Sequence, residues 1–139
     1  MGEPSHPIEG QVVLLAGAKA SVSLARLSDL LSEAQEHLAD ETDEYQRQFE
    51  RIDACGDGVY FLADDGHWER LRAELGFTKR ETEAVARTHA AQFERDGRRM
   101  DREEEFETTL EIRDVVMVAL PEELHSAGQL RIRRTACYS

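Results

Sequence analysis

The stretch GHWERLRAELGFTKRETEAVARTH, residues 66–89, decides the fold. It holds the single Trp of the chain, Trp68, with Leu71 and Leu75 at i, i+3, i+7, the spacing that places three side chains on one face of a helix. Gly76 can take the positive φ that ends a helix. Thr78 opens the next one, and Glu81 three residues on completes a capping box. Phe77 points back between the two. The spacing therefore predicts two helices and a tight turn, and the rest of the chain is read against that hairpin.

Upstream, Pro7 suits a first helical position, and Ile8, Val12 and Leu15 supply an apolar stripe for a helix ending near Lys19. Leu24, Leu27, Leu31, Ala34 and Leu38 form the clearest helical stripe in the protein. Asp40 or Thr42 caps a third helix that carries Tyr45, Phe49 and Ile52 on its inner face. Residues 55–58, Cys-Gly-Asp-Gly, interrupt the pattern, and 59–63, Val-Tyr-Phe-Leu-Ala, read as a short strand. Downstream, a helix from Lys79 to about Asp96 buries Val85, His89 and Phe93, and Gly97 stops it. Asp101 caps a last helix, with Glu104 at the capping-box position and Phe106, Leu110, Val116 and Met117 as its apolar set. Alternatively, 115–120 is a strand that pairs with 59–63. The expected fold is all-α or mainly α: a compact bundle of about six helices with at most one short two-stranded β-ribbon. Residues 1–120 make a single helical domain, and 121–139, free of acid beyond Leu124, read as a loosely attached tail.

With 139 residues the chain is long enough for a core, and 29 acidic against 17 basic residues give a formal charge of −12. The basic residues are Arg except Lys19 and Lys79. That composition suits a salt-filled cytoplasm. No leader or membrane span is expected, because the apolar run 12–16 is too short. Cys55 and Cys137 have no metal-like spacing. Cytoplasmic is the expected location.

Chemistry-bearing patterns are sparse. Counting from Asp53 as position 1, Asp57, Gly58 and Asp64 fall at positions 5, 6 and 12 of a calcium loop, but Cys55 stands where position 3 needs oxygen. The central hairpin resembles a helix-turn-helix, with Gly76 as its turn glycine and Leu71, Leu75, Phe77 and Val85 at the apolar positions. That resemblance implies DNA contacts from Lys79, Arg80 and Arg87, although Glu81 and Glu83 dilute their charge. The same W-x-x-L-x-x-x-L-G-F-T pattern is similar to the second and third helices of death-fold adaptor domains. The histidines are too scattered for a zinc site, and no nucleophile, phosphate-loop or dinucleotide pattern occurs. No catalytic residue and no cofactor is expected. Residues 8–120, through Asp65-Gly66-His67-Trp68 and Glu104-Glu105-Phe106-Glu107, resemble small acidic helical proteins of halophilic archaea, a group that implies no activity. The expected role is a non-enzymatic interaction or adaptor-like module that binds a protein partner or itself. The alternative is a transcription-associated DNA-binding protein using 68–89. Nucleic acid is the lesser partner, and no membrane partner is expected.

Overall fold

Each half of the 66–89 hairpin closes with its own capping chemistry in a computed structural model that describes residues 7–53 and 58–119. Gly76 sits at φ 73 and donates its N–H to the Arg72 carbonyl, ending α4 (His67–Leu75). Thr78 accepts from the Glu81 N–H while the Glu81 carboxylate accepts from the Thr78 N–H, so both halves of the capping box are present at the start of α5 (Lys79–Arg99). Around this pair stand α1 (Gly10–Ala20), α2 (Leu24–Asp40), α3 (Thr42–Gln48) and α6 (Glu103–Ile112). Three strands complete the described residues: β1 (Glu50–Asp53), β2 (Gly58–Ala63) and β3 (Asp114–Ala119).

The fold is mainly α, with six helices among the described residues, but the ribbon is there a three-stranded antiparallel sheet in the order β1-β2-β3. The alternative reading of 115–120 as a strand paired with 59–63 is present as far as Ala119, with Tyr60 opposite Met117, and Leu120 lies outside the described residues. Val116 and Met117 therefore belong to a strand and not to the last helix. The third strand is a correction. Phe49 and Ile52 were expected on a helix, yet α3 ends at Gln48, Phe49 is already extended, and Ile52 pairs with Tyr60. An i, i+3 apolar spacing cannot by itself separate one last helical turn from the start of a strand.

β2 is buried along its whole length because its two faces meet different helices. Tyr60 lies edge-on to Phe93 of α5 at 4.9 Å, and Phe61 lies edge-on to Tyr45 of α3 at 5.8 Å. Alternation along a strand puts neighbours on opposite faces, so the sheet is held between α5 and α3. The outer edge of β3 is covered by side chains. Gln35 of α2 donates to the Met117 carbonyl at 2.6 Å and accepts from the Ala119 N–H, while His89 Nδ1 accepts from the Met117 N–H at 2.9 Å. His89 is wholly buried, as its place on the Val85–Phe93 stripe implies.

Three local readings need correction. Gly97 does not end α5, which runs on to Arg99; its missing Cβ instead admits Phe106, whose ring and Cβ atoms lie 2.9–3.0 Å from where a Cβ would stand. Asp101, at φ 59, makes the turn and does not cap α6; Arg102 holds that position with no side-chain cap. Leu15 and Leu24 were assigned to buried stripes, yet they are 55% and 50% exposed. Among the described residues one shared core runs from Ile8 to Val118. The 121–139 tail lies outside the described residues.

Candidate functional site

Two helices meet with small residues between them and leave a groove. α1 buries Val12, Val13 and Ala16 against the protein, and the facing positions of α5 are Ala90 and Ala91. With no large side chain to close the gap, a groove of about 320 Å³ remains, floored by Val12, Leu15, Ala16, Ala90 and Ala91. Lys19, Arg87, Arg95 and Arg98 stand around it with a single acid, Glu94. Arg87, Ala91, Glu94 and Arg98 step by four, three and four, so they share one stripe of α5. A volume of this size lies at the lower end of those that hold small ligands or an inserted side chain.

The groove depends on how α1 is seated, and one residue controls that. Glu9, the last residue before α1, makes no side-chain cap to its own helix. Its carboxylate instead receives Arg99 through both guanidinium Nη atoms, Gln92 Nε2 at 2.8 Å and Arg95 at 3.1 Å. The Glu9 N–H donates to Gln92 Oε1, so Gln92 contacts both the backbone and the side chain of the same residue. The hydrogen bond from Arg99, more than burial opposes it, holds the Glu9 carboxyl below its ordinary pKa. Beneath this lies Asp96, 1% exposed, accepting the Tyr60 hydroxyl at 2.6 Å. Burial pushes the pKa of Asp96 up despite that bond. α1 is thus tied to α5, and through Tyr60 to the sheet.

The electrostatics of the groove run against those of the protein. Among the described residues, Lys19, Arg87 and Arg98 have no ion-pair partner, as is also true of Arg70, Lys79, Arg80 and Arg113, whereas Arg26, Arg47, Arg51, Arg72, Arg95, Arg99 and Arg102 are ion-paired. What sets the three apart is that they gather around one groove. Three uncommitted cations around an apolar floor, on a chain of formal charge −12, form a local positive site.

The residues expected to bind DNA all lie on α5, with Arg80 and Arg87 at i, i+7 on one exposed face. Arg87 joins Lys19 and Arg98 at the groove, while Lys79 and Arg80 stay exposed in the first turn of α5 beside Glu81 and Glu83. Of the calcium-like set, Asp53 and Asp64 are described and stand at opposite ends of β2. Asp53 pairs with Val59 at the turn end of the β1–β2 hairpin and is ion-paired to Arg51. Asp64 lies just beyond the other end of β2, roughly 16 Å away at the rise of a strand. Asp57 lies outside the described residues.

A second polar cluster sits where α4 begins. His67, 2% exposed, shares a 2.6 Å hydrogen bond with the Tyr45 hydroxyl, and the Asp114 carboxylate accepts the Trp68 N–H. Burial first, then Arg70 and His37, lower the His67 pKa to about 4, and burial raises Tyr45 to about 12. Both are neutral near pH 7. The arrangement is structural, and it makes a prediction.

The folded pKa of His67 lies below its ordinary 6.5. Between the two values the unfolded chain binds the extra proton, so stability present above pH 6.5 is lost as pH falls toward 4, by at most about 3 kcal/mol. Asp96 and Asp114, raised mainly by burial, have the opposite sign: their contribution is present below 3.8 and lost as pH rises. Thermal melting at pH 7 and pH 4.5 should show the wild type losing more stability on acidification than His67→Phe. Equal losses would contradict a buried neutral His67.

The sequence marks none of Lys19, Leu15, Ala90, Ala91 and Arg98 as a site residue; Leu15 and Lys19 enter it only as part of the first helix. The available signal was the period of Arg87, Ala91 and Arg98 on α5, together with an apolar Leu15 on a stripe that does not close. Residues 6–120 match the family described as a domain of unknown function, DUF8048, and the chain belongs to that family. No curated protein and no solved structure matches it.

Proposed function

We propose that this member of the family is a non-enzymatic, adaptor-like interaction module of a salt-rich cytoplasm, and that it binds a protein partner in the α1–α5 groove. One observation carries the reading: Lys19, Arg87 and Arg98, uncommitted among the described residues, surround an apolar floor on an otherwise acidic surface. A partner segment that presents acids beside an apolar side chain matches both features. At an interface, complementary charge sets orientation and encounter rate, and the desolvated apolar contact supplies much of the affinity. The acid excess suits a salt-rich setting, where screening shortens the reach of like-charge repulsion. No helix among the described residues is long and apolar enough to cross a membrane.

Nucleic-acid binding through Lys79, Arg80 and Arg87 is the alternative. Glu81 and Glu83 stand among those cations, and the net charge opposes phosphate. A gel shift at low salt would favour it.

The interaction reading is tested by placing a photo-crosslinking residue at Leu15, in the groove, and at Glu69, on α4, in the native host. A protein adduct at position 15 that fades with Arg87→Glu is expected. Adducts no stronger at 15 than at 69 would contradict the reading.

A further inference from the structure

We infer that the occupant of the groove is a second copy of this chain, which inserts the outer face of α6. The inference rests on the groove reading above and names its partner. Glu104, Glu107 and Glu111 stand at i, i+3, i+7 and share one exposed face. Among the described residues, no cation pairs with any of them; the ion pair at the start of α6 is Arg102 with Glu105. Beside them, one turn beyond Thr108, is Ile112, which at 67% is the most exposed large apolar side chain described. Three uncommitted carboxylates with an apolar neighbour are the counterpart of three uncommitted cations around an apolar floor.

The dimensions agree. Glu104 to Glu111 spans about 10 Å of helix axis, and Arg87 to Arg98 spans about 16 Å, so the acidic stripe fits within the reach of the cations. α6 keeps its core contact, Phe106, on its opposite side, so docking its outer face requires no unfolding. If each copy docks its α6 in the groove of the other, the contact closes into a two-fold dimer.

Net charge sets how such a contact responds to salt. Each copy carries −12, which repels the other at long range. Near 0.15 M salt the Debye length is about 8 Å, which screens repulsion between molecular centres more than attraction across direct ion pairs. At about 1 M it is near 3 Å, and the pairs weaken too. Association should therefore rise from dilute buffer to a few tenths molar salt; toward molar salt its ion-pair part weakens, and the contact of Ile112 with the apolar floor carries the association that remains.

Sedimentation velocity of the full chain across that series tests the inference. Arg87→Glu and Glu107→Arg should each weaken association by about tenfold or more. Mixed together, they should associate better than either alone, because the intact α6 of the first meets the intact groove of the second. A wild type that stays monomeric at every salt concentration, or a mixture no stronger than its components, overturns self-docking. If the wild type is monomeric but position 15 crosslinks to a different protein, self-docking fails while the groove reading stands. If it is monomeric and position 15 gives no adduct, both fail.

Discussion

Phe106→Ala is expected to lower the unfolding free energy by about 3–5 kcal/mol, the range for deleting a fully buried aromatic ring. Phe106 is wholly buried and stacks on Phe93 at 4.0 Å with the rings nearly parallel. It seats against Gly97, so its removal leaves a hole bounded on one side by glycine backbone, with no side chain there to relax into it. Arg102 also lies over the ring, its guanidinium carbon 4.9 Å from the centroid. α6 has Phe106 as its one fully buried residue and follows a turn without a side-chain cap, so it should loosen before the rest. Urea denaturation measures the loss. A change under about 1 kcal/mol would mean that α6 is not anchored by this ring.

The second large effect is expected at Gln35. Its amide is bonded at both ends to β3, donating to the Met117 carbonyl and accepting from the Ala119 N–H. Leucine has nearly the same volume and no polar atom, so Gln35→Leu isolates the hydrogen bonds from the packing. Two backbone groups of β3 then lose their partners, one of them buried, at a cost of about 2–4 kcal/mol. Amide exchange at Ala119 should quicken while β2 stays protected. Unchanged stability would show that water or a rearranged neighbour satisfies that edge.

The features that were legible in the sequence are those whose physics is local. The capping box at Thr78 and Glu81, the αL turn at Gly76 and the Leu27–Leu38 stripe each depend on residues within a turn or two. The β2–β3 pairing was legible as an alternative, because two runs rich in β-formers stand far apart in the chain. β1 was not, since Phe49 and Ile52 satisfy a helical spacing as well as a strand. Gly97 was read as a stop, the commoner use of glycine at a helix end, when its purpose depends on Phe106 in the next helix. The groove was hidden for the same kind of reason. Lys19 and Arg87 lie far apart in sequence, and the gap between them exists because Ala90 and Ala91 face α1. Of the groove cations the sequence points only to Arg87, and there toward nucleic acid.

The central claim is that the three uncommitted cations hold a partner over the apolar floor. Its most direct test is the affinity of whatever position 15 crosslinks to, purified and titrated against the wild type and against Lys19→Ala/Arg87→Ala/Arg98→Ala, both at about 0.15 M salt. All three side chains are exposed, so the variant should fold and melt as the wild type does. The account predicts that it binds at least about tenfold more weakly. Equal affinity in the folded variant would contradict it.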